Sequence, residues 1–158
     1  MRSTGEPNSS EKPLPARPPG TVKMRYLAID YGAQRTGLAI CDRDETIASP
    51  LAVIRGQKNL LQEIADIVAA QGVDAIVLGL PLNMDDSEGP QAKLVRSFAA
   101  RLTGQLGIPV HFQDERLSSF GAREKLAPAE LTWKNTAKRL DAVAAAQILE
   151  AFLEQKPH

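Results

Sequence analysis

The chain has 158 residues, of which 43% are hydrophobic and 24% charged, and its 19 basic side chains balance 19 acidic ones. This length favours a single domain with a sizeable core, because domains of roughly 100–150 residues are the commonest. No apolar run approaches the ~20 residues of a membrane helix, and the lone Cys41 excludes an intrachain disulfide. We therefore expect a cytoplasmic protein with no membrane partner.

Charge is unevenly distributed along the sequence. Residues 24–92 carry 5 basic and 10 acidic side chains, whereas residues 93–139 carry 9 basic and 4 acidic ones. Such asymmetry in a small domain can set a cationic surface beside an anionic site, although solvated helix faces are the simpler explanation.

The first 23 residues differ in composition from the rest. They hold five of the eleven prolines and almost no large apolar side chains. A segment of this kind cannot bury enough surface to offset the entropy of ordering. We predict a disordered Pro-rich leader over 1–23 and one folded domain over 24–158.

The remaining elements follow from hydrophobic periodicity and from the positions of glycine and proline. In chain order, the prediction is strands over 24–30, 37–42 and 46–54, a helix over 58–71, a strand over 73–80, a helix over 91–106, a strand over 108–113, and helices over 118–126 and 136–154. Pro50 marks the third strand as an edge or a bulge. The order β-β-β-α-β-α-β-α-α predicts an α/β fold: a mixed five-stranded sheet flanked by helices, with the first strand in its interior.

Acidic residues occur where this order brings chain segments together. Asp30 ends the first strand, Asp114 and Glu115 end the fifth, and Asp141 lies one turn into the last helix. Carboxyl ends of parallel strands share one edge of a sheet, where ligand sites form. Several carboxylates in one cleft need a cation, and oxygen ligands favour Mg²⁺ or Mn²⁺. Such ions assist phosphodiester hydrolysis.

Each carboxylate alone also fits a structural role. Asp30 suits capping of the following turn, the pair at 114–115 suits an ion pair with Arg116, and Asp141 suits a contact with Lys138 or with the helix dipole. The metal-site interpretation therefore depends on all three positions together.

Four motifs carry a family resemblance. They are I-D-Y-G-A-Q-R-T-G-L-A (29–39), V-L-G-L-P-L-N-M-D-D-S-E (77–88), D-E-R-L-S-S (114–119) and D-A-V-A-A-A-Q-I-L (141–149). In this order the motifs resemble the YqgF/RuvX family of pre-16S rRNA nucleases and Holliday-junction-resolvase-like proteins, which have an RNase H fold. The resemblance covers about residues 24–153.

The resemblance implies a hydrolase acting on phosphodiester bonds in structured nucleic acid. Its acidic triad falls on Asp30, Glu115 and Asp141, which it makes both catalytic residues and ligands of Mg²⁺ or Mn²⁺, with Asp114 as the alternative to Glu115. The implied role is processing of the 5′ end of pre-16S rRNA in a bacterial cytoplasm, or resolution of Holliday junctions. A two-fold homodimer would suit a four-way junction.

One loop departs from the family pattern. The family loop usually reads N-x-D-G-[ST], and Asp86 stands here in place of that glycine. If the position requires a positive φ, aspartate tolerates it at some cost.

Substrate contacts are predicted near the same sheet edge. The candidates are Arg35, Asn83, Arg116, Lys138 and Arg139. A wider basic area comprises Arg96, Arg101, Arg123, Lys125 and Lys134. Basic side chains give affinity for phosphates without reading sequence, and the aromatic content of 4% leaves little stacking on bases. Structure-selective recognition is therefore expected. Arg35 also fits a loop arginine, Asn83 an Asx-turn and Arg116 a partner that orients Glu115.

Two other functions remain open at this point. One is a non-catalytic nucleic-acid-binding or regulatory module on an RNase H-like fold. The other is an ATP-binding domain of the actin/hexokinase type, because Asp30, Gly32 and Gly37 also fit its D-x-G-x-x-x-x-G turn. The chain length argues against the second, since such enzymes close two domains around the nucleotide.

Overall fold

The computed structural model of the chain describes residues 23–117 and 136–156. The predicted leader, apart from Lys23, and the helix predicted over 118–126 lie outside these residues. Within the described ranges, no helix combines the length and apolar character needed to cross a membrane.

The elements follow the predicted order. Strands are β1 (Tyr26–Asp30), β2 (Arg35–Cys41), β3 (Ala48–Arg55), β4 (Ala75–Leu80) and β5 (Val110–Asp114); helices are α1 (Leu60–Gln71), α2 (Pro90–Leu106) and α3 (Thr136–Gln155); and a 3₁₀ turn spans Glu115–Leu117. Among the predicted elements that the structure describes, no end shifts by more than two residues. The α1 helix ends at Gly72, whose φ of 66° and N–H bond to the Val68 carbonyl form the expected C-cap.

The five strands form one sheet in the order β3-β2-β1-β4-β5. β1 pairs antiparallel with β2 and parallel with β4, and β4 pairs parallel with β5. The prediction of a mixed sheet with the first strand in its interior is confirmed. Consequently β1, β4 and β5 all end at the same edge of the sheet, which we call the carboxyl edge.

β3 lies at the outer side of the sheet. Its register with β2 shifts between Leu38 and Ala39, where Pro50 pairs with Ala39. Proline lacks the N–H that a central strand needs, so the edge position and the irregularity predicted from Pro50 are both confirmed.

Alternation along β1 assigns the helices to opposite faces of the sheet. Leu27 and Ile29 belong to the core that contains α1 and α2, whereas Ala28 packs with Ala145 and Leu149 of α3. Small side chains on the second face let α3 lie close to the sheet. Every residue from 140 to 153 is buried or half-buried, as the nearly all-round apolar character of this helix predicts.

Candidate functional site

The carboxyl edge brings Asp30 and Glu115 together across β4. Asp30 is the last residue of β1, and Glu115 directly follows β5. Between them runs Gly79 of β4, where a Cβ atom would lie 2.8 Å from Oε2 of Glu115 and 2.7 Å from Cδ1 of Ile148. A larger residue at position 79 would displace the Glu115 or Ile148 side chain, so glycine leaves room for Glu115 to cross β4 toward Asp30.

Sequence reasoning did not identify Gly79 as part of the site. The available signal is a glycine inside an otherwise fully buried apolar strand, a pattern that marks close approach of another group. Gly79 acts by its lack of a side chain, so a search for chemically active residue types passes over it.

Asp30 and Glu115 are coupled by a hydrogen bond. Burial, the charges of Glu115 and Asp141 and this hydrogen bond raise the pKa of Asp30 from 3.8 to about 7. Burial also raises the pKa of Glu115, while the bond from Asp30 opposes the rise. Protonated Asp30 thus donates to the Glu115 carboxylate, because two buried like charges repel unless a cation separates them.

Asp141 approaches the pair from α3, on the face of the sheet that also carries Ala28, and its charge contributes to the raised pKa of Asp30. Its Oδ2 atom accepts a hydrogen bond from Nε of Arg35 at 2.6 Å. The backbones are fixed here, since a Cβ atom on Gly37 would lie 2.0 Å from the Asp141 carbonyl oxygen. β2 and α3 thus hold Arg35 and Asp141 in contact although 106 positions separate them.

Arg116 organises the neighbouring loop. Its guanidinium donates to both carboxylate oxygens of Asp114, to the Asn83 carbonyl at 2.9 Å and to Asp86 at 2.7 Å. These contacts lower the pKa of the Asp114 carboxyl. Asp114 is therefore held by Arg116, whereas Glu115 contacts Asp30, and this favours Glu115 over Asp114 as the functional carboxylate.

Side chains of the 82–89 loop bond mainly to one another. Asn83 Nδ2 donates to Ser87 Oγ at 2.9 Å, and Ser87 N–H donates to Asp85 at 3.0 Å. Asp86 has a φ of 72°, in the left-handed region, so aspartate occupies a conformation that glycine adopts more readily. In this arrangement Asn83 and Arg116 are engaged within the protein, and their role as substrate contacts stays a prediction.

The remaining predicted contacts lie in the first turn of α3. The backbone of Lys138 and Arg139 is helical, but their side chains fall outside the described residues. Their assignment to substrate binding is untested.

The metal-binding prediction is also untested. Within residues 23–117 and 136–156, no group of three or more His, Cys, Asp or Glu side chains has a metal-holding arrangement. Asp30 and Glu115 share a proton, and Asp141 is paired with Arg35. The donor set consists only of carboxylate oxygens, which suits Mg²⁺ or Mn²⁺ once the proton is released.

Comparison with known proteins adds an independent line of evidence. A family model described as "RuvX: Holliday junction resolvase" matches residues 24–155. A protein named "Putative pre-16S rRNA nuclease" from Anaeromyxobacter dehalogenans (strain 2CP-C) is 42% identical over 135 residues, covering 84% of this chain and 98% of the relative. A protein of the same name from Moorella thermoacetica (strain ATCC 39073 / JCM 9320) is 39% identical over 135 residues, covering 84% and 96%.

Solved structures confirm the fold class. Thermus thermophilus RuvC in complex with a Holliday junction substrate superposes with a TM-score of 0.51 at 14% identity, covering 84% of this chain and 97% of RuvC. At this identity the likeness concerns the fold, which is the RNase H-like arrangement that the resemblance implied. The family model matches residues 24–155, and the two relatives are covered almost end to end. This chain therefore belongs to the RuvX family of resolvase-like nucleases.

Proposed function

We propose that this protein is a divalent-metal-dependent nuclease that hydrolyses phosphodiester bonds in structured nucleic acid. Its substrate in this proposal is the 5′ region of pre-16S rRNA in the cytoplasm. The observation that carries the proposal is the contact of Asp30 with Glu115 at the carboxyl edge, where the Asp30 pKa is about 7. The names of the relatives supply the substrate class.

The residues at the edge fit a divalent cation. Asp30 and Glu115 present half-buried oxygen donors that need positive charge between them, and a proton supplies it in the metal-free site. Asp30 and Glu115 would hold the ion, with Asp141 as a third ligand once Arg35 releases it. When bound, Mg²⁺ or Mn²⁺ supplies a lowered pKa for a water molecule and charge stabilisation for the leaving oxygen.

The protein's own groups have separate tasks in this proposal. Because the pKa of Asp30 is about 7, its proton leaves near neutral pH, and a bound cation would favour the fully ionised pair. Gly79 keeps the passage open for Glu115. Arg35 lies beside Asp141 with its guanidinium half exposed, and a guanidinium that leaves this carboxylate can bind a phosphate oxygen in two-pronged geometry.

The first prediction concerns Asp30→Asn. This change replaces a negatively charged metal-ligand oxygen by a neutral amide of the same size. We therefore expect cleavage in Mg²⁺ or Mn²⁺ to fall at least about 100-fold, whereas nucleic-acid binding persists. Cleavage is measured on a pre-16S-like RNA and on a four-way DNA junction, and binding by fluorescence anisotropy. Asp66→Asn, on the exposed face of α1, is the control and retains full activity. Undiminished cutting by Asp30→Asn would assign the chemistry to another site.

Holliday-junction resolution is a second candidate, favoured by the description of the matching family model. Cleavage rates on the pre-16S-like RNA and on the four-way junction, measured at equal concentration, distinguish the two functions: the faster substrate identifies the activity. Resolution of a two-fold junction also requires paired cuts, so it predicts a homodimer by light scattering. Binding to both substrates without any cutting, across Mg²⁺ and Mn²⁺, would instead support a non-catalytic module.

A further inference from the structure

A cationic cavity lies on the face of the sheet that carries α1 and α2, apart from the carboxylate site. A cavity of about 290 Å³ opens between the N-terminal end of α1 and the middle of α2. Lys58 and Arg101 bring positive charge to it, glutamine amides line its walls, and Phe98 forms part of its apolar floor. No carboxylate lines this cavity, so its chemistry favours an anion that accepts hydrogen bonds.

The two cations differ from other basic residues of the site region. Arg35, Arg96 and Arg116 are each paired with carboxylates. Within the described residues, neither Lys58 nor Arg101 forms an ion pair, although Arg101 is held over the Phe98 ring at 5.4 Å from its centroid. Both charges therefore remain available to a ligand.

Direct contacts connect the cavity to the carboxyl edge. Gln57, which lines the cavity, accepts a hydrogen bond from the Tyr31 hydroxyl at 2.9 Å and donates to the Gly32 carbonyl at 2.8 Å. Phe98 stacks on the Tyr31 ring with centroids 4.1 Å apart. Tyr31 directly follows Asp30, so the residues that line the cavity contact the turn beside the candidate catalytic pair.

We propose that this cavity binds a backbone phosphate of the nucleic-acid strand, a few nucleotides from the bond that is cut. The inference rests on the proposed function, because a strand leaving Asp30 over the Tyr31 turn reaches the cavity next. Two unpaired cations and an apolar floor suit a phosphate with its sugar. Recognition of this kind adds affinity without reading sequence.

The test measures how affinity depends on salt. Each phosphate contact contributes about 1 to the slope of log K against log salt concentration. We expect the Lys58→Gln/Arg101→Gln double variant to lose about 1 from this slope between about 50 and 200 mM salt, because one phosphate is no longer neutralised, and to bind the RNA and the junction more weakly. Binding is measured by fluorescence anisotropy in EDTA, which prevents cutting.

The matched control removes the same charges at the opposite edge of the sheet. Lys23 precedes β1 and Arg43 follows β2, so Lys23→Gln/Arg43→Gln should leave the slope unchanged. Equal losses in both double variants, or a wild-type slope in the first, would overturn the inference. Circular dichroism melting verifies that both variants fold.

Two further outcomes separate this inference from the proposed function and from another ligand. If wild-type protein cuts and Asp30→Asn does not, yet the cavity variant keeps the wild-type slope, only the cavity inference fails. If adenosine monophosphate alone binds wild type and not the cavity variant, while the slope is unchanged, the cavity takes a free nucleotide and the inference is wrong. If wild type neither binds nor cuts nucleic acid, both proposals fail.

Discussion

At Asp30, burial and the neighbouring carboxylates act in the same direction. They raise its pKa from 3.8 to about 7, so between these values the folded protein binds a proton that the unfolded chain has released. Stability therefore decreases as pH rises through this window. Each pKa unit corresponds to about 1.4 kcal/mol, which makes the loss on the order of a few kcal/mol. An ionised carboxylate pair in the metal-free site therefore destabilises the folded protein.

We predict that metal-free protein has a lower free energy of unfolding at pH 8 than at pH 5, and that Asp30→Asn flattens this dependence. Urea titrations in EDTA at the two pH values provide the measurement. Asp66→Asn, which removes an exposed carboxylate of α1, should retain the wild-type dependence. A variant at Asp30 with undiminished pH dependence would show that another group binds the proton.

The ion pairs that Arg35 and Arg116 form with distant carboxylates are the part of the site that sequence alone could not provide. The neighbours Asp114, Glu115 and Arg116 suggest a local ion pair, and Asp114 does pair with Arg116. Arg116 also pairs with Asp86, which lies 30 positions away in the sequence. The contact between Arg35 and Asp141 spans 106 positions. Such contacts depend on how helices and loops pack against the sheet, which periodicity does not encode.

At the scale of elements, the approach of α3 to β2 fixes the position of Asp141. A Cβ atom on Gly37 would lie 2.0 Å from the Asp141 carbonyl oxygen, a backbone atom that cannot rotate aside. Since Gly37 sits within β2 and Asp141 within α3, any added atom must push the helix away from the sheet. The separation of these two elements then controls both the Arg35 contact and the core beneath α3.

We expect Gly37→Ala to lower the free energy of unfolding by about 3 kcal/mol or more, because overpacking against backbone leaves no low-cost relaxation. Gly104→Ala is the control: nothing lies within 4 Å of its Cβ position in α2. Alanine has the higher helix propensity, so this change should stabilise by up to about 1 kcal/mol. Urea unfolding measures both, and a neutral Gly37→Ala would contradict the close packing.

Element order and strand direction were predictable because they depend on local signals. Apolar runs such as 73–80 and the helix-ending glycine at 72 are read within a few residues. Right-handed crossovers then restrict how the strands pair, which is why the common carboxyl edge of β1, β4 and β5 was expected. Strand ends moved by up to two residues because hydrogen bonding across the sheet decides them.

At the scale of the whole molecule, the contacts of Met24 and Arg25 show where the described fold begins. Met24 N–H donates to Oε2 of Glu45 at 2.7 Å. Arg25 donates through its backbone to Asp74 and through its side chain to the carbonyls of Cys41 and Gln71. These two residues link the start of β1 to three other parts of the chain, and the family match also begins at residue 24.

The last prediction compares two shortened chains. A chain that begins at Met24 keeps every one of these contacts and places its terminal ammonium beside the Glu45 carboxylate, so its melting temperature should equal or slightly exceed that of the full chain. A chain that replaces residues 1–25 by an initiator methionine loses the Arg25 hydrogen bonds, leaves the Cys41 and Gln71 carbonyls without that donor, and should melt several degrees lower. Thermal melts followed by circular dichroism, with cleavage assays on the same samples, compare the three chains. A large loss of stability or of cutting in the chain beginning at Met24 would mean that residues 1–23 belong to the working domain, against the boundary predicted from their composition.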